Sequence, residues 1–566
     1  MKLLDARRLT GLNVIWERPC AIVDVEITNP EMIPALVSHW QQQVQDVLHA
    51  IGWTAEQTTM HEFTGGISLA LSAPIDCMYS AVEIAEWAYH RSEKLLIPES
   101  DSDSPDELSE FLARLQTQIA EEQNHDLLAL KQQARAHQVA FLWDDDLVSV
   151  GYGKGSQTWP VTEIPNQVEW QNIHNIPLAM ITGTNGKTTT VRMTSQIMQA
   201  AGDTVGISST DWIGINNDII ERGDYSGPGG ARSILRQASI DKAILETARG
   251  GALRRGLGVA RADVALITNI SEDHLGDFGS RTVEELLAIK WLVMQALDER
   301  SIAILNADDP MLVAKSANLN KPELLWFSLD PEKPLMQEQA QQGKRLVSVI
   351  EDHVARYDGQ QWVKLCAINS IPLTLNGIAR HNIANALAAA SVCVAMQIPD
   401  AAIIKGLQSM TASDNPGRCN LFKVNNCEVL LDFAHNPEGI SSILEIARQH
   451  PAKRRFLCFG QAGDRTDELI RDLARTAWAS GLEHVFICEM ADYYRGRESG
   501  EVYKLLRDEL LNSGARADQV THTQRESESL ELAMAMAGEG DLIIMLALSE
   551  AKSLLQHLHD VGKLVS

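Results

Sequence analysis

The chain has 566 residues, 45% of them hydrophobic and 22% charged. At about 150 residues per domain this length predicts roughly three or four domains with cores of their own, and the composition excludes wholesale disorder. Asp plus Glu number 75 against 49 for Lys plus Arg, a formal charge of −26. That balance argues against a nucleic-acid partner, because phosphate backbones need a basic footprint, and it suits cationic or zwitterionic small molecules.

The eight cysteines, Cys20, Cys77, Cys366, Cys393, Cys419, Cys427, Cys458 and Cys488, form no CxxC pair. Several lie in apolar strand-like runs, so they read as buried thiols of a reducing cytosol. The opening Met1-Lys-Leu-Leu-Asp-Ala-Arg-Arg lacks a signal peptide's apolar core, and no run reaches the roughly 18 apolar residues of a membrane span. The expectation is a cytoplasmic protein without a membrane partner. A homo-oligomer is left open.

In chain order, Cys20-Ala-Ile-Val-Asp-Val-Glu-Ile27 alternates like a strand, and Ile33, Leu36, Val37, Trp40, Val44, Val47, Leu48 and Ile51 recur at helical spacing. A second helix is predicted over 79–94. The polar linker from Glu99 to Glu107 contains Ser104-Pro105, which reads as N-cap and first residue of the next helix. Two short strands, 140–143 and 147–150, flank Asp144-Asp-Asp146. Successive strand residues point to opposite faces, so a hairpin turn is favoured there over a metal site. Gly151-Tyr-Gly-Lys-Gly155 is glycine-rich, but no apolar helix follows it; it reads as a flexible connector before a boundary near residue 165.

From Pro177 strands alternate with helices, the pattern of a mostly parallel sheet covered on both faces. The strand candidates are 178–182, 243–246, 264–269 and 302–306, then 429–433, 456–460, 485–489 and 542–546. Asp414-Asn-Pro-Gly417 is a turn-rich junction between the two sets.

The strongest chemical signal is Thr182-Gly-Thr-Asn-Gly-Lys-Thr-Thr189, which follows an apolar strand and opens a helix with Val191, Met193, Ile197, Met198 and Ala201 on its inner face. Glycines let the backbone curl so that its N–H groups face a phosphate at the helix N-terminus. Lys187 supplies a charge for the β- and γ-phosphates, and the Thr188 hydroxyl is placed for Mg²⁺. Two more strands end in polar clusters, Glu246 running into Thr247-Ala-Arg-Gly-Gly251 and Asn269 into Ile270-Ser-Glu-Asp-His-Leu-Gly276. Ligand sites of open α/β sheets lie at such strand ends, where Glu246 would hold the phosphate-bridging Mg²⁺ and His274 a second ion.

The shortened loop, Glu246, Asn269…Asp273-His274, Asn306-Ala-Asp-Asp309, His381-Asn-Ile-Ala-Asn385, Pro416-Gly-Arg418 and Asp432-Phe-Ala-His-Asn-Pro437 occur in the order seen in Mur ligases, which the chain resembles. Within them it looks most like the Mur-type part of cyanophycin synthetase, through Glu246-Thr-Ala-Arg-Gly-Gly251, Glu272-Asp-His-Leu-Gly276, Gly463-Asp-Arg-Thr-Asp467 and Arg495-Gly-Arg497 with Glu501. The resemblance is strong over 165–566 and weak before that. It implies a multidomain α/β protein: a small cyanophycin-synthetase-like α/β N-terminal domain at 1–165, a central P-loop parallel-sheet ATPase domain at 166–413, and a Rossmann-like C-terminal ligase domain at 414–566. Cyanophycin synthetases carry an ATP-grasp domain between the first two parts; here the N-terminal part runs directly into the Mur-type part.

The resemblance implies that ATP phosphorylates a carboxylate, which an amine then attacks. Gly183, Thr184, Asn185, Gly186, Lys187, Thr188 and Thr189 would hold the phosphates, with Mg²⁺, two ions, at Thr188, Glu246, His274 and Lys290. Lys290, on a helix opened by the capping-box pattern Thr282-Val-Glu-Glu285, matches the lysine many members carbamylate into a metal ligand. Asn382 and Asn385 match adenine contacts, Arg418 the arginine reaching the phosphates, and Asp432 the residue near the ribose. His435 would lie at the reacting centre. Because Arg418 and Asp432 follow the central sheet, the site would be completed by closure over ATP.

Asp464, Asp492 and Glu498 are candidates for pairing with a cationic, arginine-like amino acid, with Arg465, Arg495 and Arg497 beside them. The loop Asp224-Tyr-Ser-Gly-Pro-Gly-Gly230 is a candidate contact for the carboxylate acceptor. The expected activity is ATP-dependent, ADP-forming amide ligation of an amino acid to a carboxylate. The alternatives are a Mur-type ligase with another acceptor and a non-catalytic ATP- or polymer-binding partner.

Overall fold

The structure is a computed structural model that describes residues 1–98, 106–272, 282–319 and 322–565. At the N-terminal end an antiparallel sheet takes the order Lys2–Leu9, Cys20–Glu26, Gly66–Ser72, Thr58–Phe63. Helices Ile33–Ile51, Met78–Leu96 and Leu108–Glu122 share one apolar core with it, built on Trp40, Tyr89 and Phe111. Leu36, Trp40, Val44, Val47 and Leu48 are the buried positions of the first helix, as the spacing requires, and Gly52 stops it with φ 79°.

The helix expected to open at Ser104-Pro105, residues outside the described ones, instead has Glu107 at its N-cap and begins at Leu108. The Asp106 carbonyl accepts from the Trp87 indole at 3.0 Å, and the Asp106 carboxylate pairs with Arg114. Those bonds hold residue 106 ahead of the first turn.

Phe141–Trp143 and Leu147–Val150 form an antiparallel hairpin. The Asp144 carboxylate accepts from the amides of Asp146 and Leu147 and so fixes the turn. The expectation of a flexible connector at Gly151–Gly155 is corrected. Tyr152 is buried, Lys154 N donates to Ile240 O at 3.0 Å, and a Cβ on Gly155 would meet His174 O at 2.3 Å. The glycines there serve close packing, and a third strand, Gln157–Pro160, follows them.

The large sheet has eleven strands. Val205–Ser208, Lys242–Glu246, Leu178–Thr182, Val264–Ile267, Ile302–Asn306, Glu323–Ser328 and Leu346–Ile350 lie side by side and parallel. Antiparallel hairpins close both edges, Trp212–Ile215 with Asp218–Arg222 and His353–Tyr357 with Trp362–Ala367. Leu178 and Met180 enter one core while Ala179 and Ile181 enter the other. Both faces are covered, which is why the strand is apolar throughout.

A second, seven-stranded sheet follows. Val520–Thr523, His484–Cys488, Arg455–Phe459, Leu542–Leu546 and Cys427–Asp432 run parallel, and Asn420–Val424 and Lys563–Leu564 finish it antiparallel. The eight cysteines are buried free thiols. Among the described residues no helix is long and apolar enough to cross a membrane.

Candidate functional site

The glycine loop sits between strand Leu178–Thr182 and helix Lys187–Ala200. Gly183 has φ 148° and Gly186 φ 82°. A Cβ on Gly183 would lie 1.8 Å from the Thr268 hydroxyl and one on Gly186 2.1 Å from Asn385 Oδ1. Both positions therefore demand glycine on conformation and on space. Neighbouring strand ends hold the loop: Asn185 N donates to Asn269 Oδ1 at 2.9 Å, and the Thr268 hydroxyl donates to Asn185 O at 2.6 Å. The first backbone N–H groups of the helix, from Lys187 to Thr189, have no intrahelical acceptor. With the helix dipole they make an anion-binding end.

Lys187 Nζ donates to Thr184 O at 2.8 Å, folding the side chain back over the loop. Glu246 ends its strand only 2% exposed, its carboxylate accepting from the Thr210 hydroxyl at 2.6 Å. Lys290, 6% exposed, closes helix Val283–Lys290, and its Nζ donates to Gly183 O at 2.6 Å. That helix starts with the expected capping box, in which Thr282 and Glu285 bond each other's backbone amides. His274 lies outside the described residues.

Asn382 and Asn385 stand on helix Arg380–Ala395 beside the loop; Asn382 donates to Leu373 O at 2.8 Å and accepts from Asn385 at 3.1 Å. Asp309 caps helix Pro310–Ser316 and accepts from Ile270 N at 2.6 Å, fixing the strand end that carries Asn269. The second sheet reaches the loop directly. Asn436, the N-cap of helix Pro437–Gln449, donates to Asn185 Oδ1 at 3.0 Å, and Asn185 donates to Glu438 at 3.0 Å.

Arg418 lies over the Phe433 ring at 4.7 Å. Asp432 accepts from Cys419 N at 2.6 Å and from Ala434 N at 2.7 Å. Burial nevertheless pushes its carboxyl up to about 6, with Arg418 pulling the other way. His435 Nδ1 is 3.0 Å from Phe433 O; a carbonyl only accepts, so that nitrogen carries the proton. Burial pulls His381, on the same wall, down to about 4, which keeps it neutral at physiological pH.

These groups line one cleft of about 920 Å³, from Thr184, Asn185, Gly186, Lys187, Thr188 and Thr189 through Glu246 and Lys290 to Arg418, Asp432 and His435. Asp464, Arg465, Arg495, Asp224 and Ser226 line it as well. Asp492, Arg497 and Glu498 are not brought into that lining. Arg497 is occupied by Asp467, Glu501 and the carbonyls of Gly463 and Arg465, which makes it a brace for the loop that holds Asp464. Sequence reasoning missed Thr210, Gln461 and the pair Arg249 and Arg254, all on the cleft wall. Arg249 stands within the segment Glu246–Gly251 and Arg254 just after it; Thr210 and Gln461 gave no signal.

Residues 181–393 match the Mur ligase middle domain, and residues 417–547 match the Mur ligase, glutamate ligase domain. The chain belongs to the Mur ligase family. Among curated relatives, the cyanophycin synthetase of Crocosphaera subtropica is 34% identical over 383 residues, 67% of this chain and 43% of that one. The cyanophycin synthetase of Synechocystis sp. is 36% identical over 344 residues, 60% and 39% of the two chains. The chain thus spans less than half the length of these relatives. The solved structure of E. coli FolC in complex with DHPP and ADP matches with a TM-score of 0.50 at 18% identity, over 68% of this chain and 89% of that one. That likeness concerns the fold.

Proposed function

We propose that this protein is an ATP-dependent, ADP-forming ligase that activates a carboxylate as an acyl phosphate and joins it to an amino acid through an amide bond. The observation that carries the reading is the meeting of the glycine loop, Glu246 and Lys290 with Arg418, Asp432, His435 and Asp464 in one cleft. In this reading residues 1–165, 166–413 and 414–566 are its three domains, and the phosphates of ATP lie at the N-terminus of helix Lys187–Ala200. The oxygen donors at that point, the Thr188 hydroxyl and the buried Glu246 carboxylate, fit a hard divalent cation. Thr188 and Glu246 would hold Mg²⁺ there, and the ion would supply positive charge against the transferring phosphoryl group.

The protein's own groups then divide the chemistry. Lys187 and Arg418 meet the phosphate charge that develops as the acceptor carboxylate oxygen attacks the γ-phosphorus and ADP leaves. Asn382 and Asn385 are read as the adenine contacts, and Asp432 as the residue near the ribose. Lys290, read as carbamylated, would add an anionic oxygen ligand for that ion. The incoming amine nitrogen attacks the acyl carbon, inorganic phosphate departs, and His435 receives the amine proton.

Among the described residues, two buried acceptors on the cleft wall, Gln461 Oε1 and Asp464 Oδ1, have no hydrogen-bond partner. Unpaired buried acceptors ask for a donor-rich ligand, which supports an arginine-like amine as the incoming group. The experiment is a screen of amino acid and carboxylate pairs for ADP and phosphate release, with mass spectrometry of the products. Phosphate release with no amide product under any pairing would overturn the reading, as would no release at all.

A further inference from the structure

We propose that Asn415 is a positioning residue that ties the junction between the two sheets to the nucleotide phosphates through Thr189. The inference rests on the reading of Thr189 as a phosphate contact.

Asn415 is 0% exposed and lies in the turn that leads to Arg418. Its Oδ1 accepts from Arg192 Nη1 at 2.9 Å, and its Nδ2 donates to Thr189 Oγ1 at 3.2 Å. A guanidinium can only donate, so the amide has one possible orientation: oxygen toward Arg192, NH₂ toward Thr189. The Thr189 oxygen must then accept, and its own proton is turned away from Asn415. Thr189 is on the first turn of the loop helix and lines the cleft, so that proton is available to a phosphate oxygen.

The other end of the relay is equally fixed. Arg192 is 5% exposed, lies 3.9 Å over the Trp212 ring and donates to Asp211 at 2.5 Å. The same Asp211 carboxylate is 3.8 Å from the Arg418 guanidinium. Within the junction, Arg418 N donates to Asn415 O at 3.2 Å, and the Asn420 amide donates to that carbonyl at 3.2 Å. Asn415 thus sets both the direction of the Thr189 hydroxyl and the backbone that delivers Arg418. A displacement of the junction is transmitted to the loop helix by one buried amide.

Asn415→Asp tests this. The variant keeps an oxygen for Arg192 but replaces the donor with an acceptor, so the Thr189 proton is captured by the new carboxylate. Affinity for Mg·ATP, measured by calorimetry, should fall about tenfold, with the unfolding temperature of the nucleotide-free protein unchanged. In a Thr189→Val background the same substitution should cost nothing further. A plain electrostatic penalty from the added charge would persist in that background, and its persistence would overturn the proposal. So would wild-type affinity in Asn415→Asp. Should that variant fail to fold, Asn415→Ser, whose single hydroxyl cannot serve both Arg192 and Thr189, is read against Thr189→Val in the same way. Wild-type protein that binds no ATP sinks the ligase reading itself; normal wild-type binding with an unaffected variant sinks only the coupling.

Discussion

Lys290 Nζ donates to the carbonyl oxygen of Gly183 at 2.6 Å, joining the last residue of one helix to the first residue of the glycine loop. A lysine that is 6% exposed beside that loop is no solvated helical lysine. Lys290→Ala leaves a buried carbonyl unpaired, at about 1–3 kcal/mol, and in the proposed chemistry it also deletes the carbamate. Activity should be nearly abolished. Dialysis of the wild-type protein against CO₂-free buffer should lower its rate and bicarbonate should restore it, because a neutral amine cannot replace an anionic oxygen at a divalent metal. A fully active alanine variant, insensitive to bicarbonate, would sink the carbamate.

Lys187→Ala separates chemistry from folding. The side chain donates to Thr184 O at 2.8 Å from a half-buried position, so its loss costs the fold about 1 kcal/mol. On the reacting phosphate it supplies charge in a confined cleft, where losing one such group costs on the order of 10²–10³ in rate. The expected result is a folded protein whose phosphate release falls by at least that factor. A wild-type rate would place the nucleotide elsewhere.

Asp432 gives a pH signature. Its folded-state carboxyl titrates at about 6, against about 3.9 for an unfolded aspartate. The folded protein therefore binds this proton more tightly. The contribution is fully stabilising below about pH 4 and is lost as pH rises through about 6, by at most about 3 kcal/mol. Asp432→Asn cannot ionise. The unfolding temperature of wild type minus variant should fall from about pH 4 to about pH 6.5 and stay flat above. A difference that rises over that window would mean that the Cys419 and Ala434 amides and Arg418 outweigh burial.

The site was most legible where one chain segment carries both the fold and the chemistry. Gly183 to Thr189 could be read because the strand, the glycines and the helix are consecutive, and the Thr282–Glu285 capping box because its partners are three residues apart. What joins distant segments stayed hidden. Thr210 on Glu246, Asn415 on Thr189 and Asn436 on Asn185 are contacts that only the packed sheets create. The strands at 205–208, 323–328 and 346–350 were missed as well. Arg497, a substrate-side candidate in sequence, pairs with Asp467 and Glu501, the first of them thirty residues away in the chain. The packed turn at Gly151 to Gly155 showed the converse, glycines whose cause is a neighbouring segment rather than a ligand.

That turn bears on the product of the proposed ligation. Growth of a backbone in the manner of cyanophycin requires two activations, of a main-chain and of a side-chain carboxylate, and the resemblance implies separate ATP sites for them. The other glycine-rich segment singled out in sequence is Gly151 to Gly155, and the space beside its glycines is filled by His174 and Ile240. The chain between Pro160 and Leu178 is short and engaged, with Val161 N bonded to Asp146 O at 2.9 Å and Trp170 stacked on His137 at 4.4 Å. No second nucleotide-binding unit is inserted there. A single site activates one carboxylate geometry well, because the acceptor oxygen must lie in line within about 3–3.5 Å of the γ-phosphorus. Purified protein given ATP, Mg²⁺, aspartate and arginine, with neither primer nor partner enzyme, should therefore yield no insoluble polymer, while a matched acceptor and amine should yield one defined amide. Light scattering and mass spectrometry of the same reaction decide the point, and high-mass product accumulating under those conditions would show that this one cleft performs both activations.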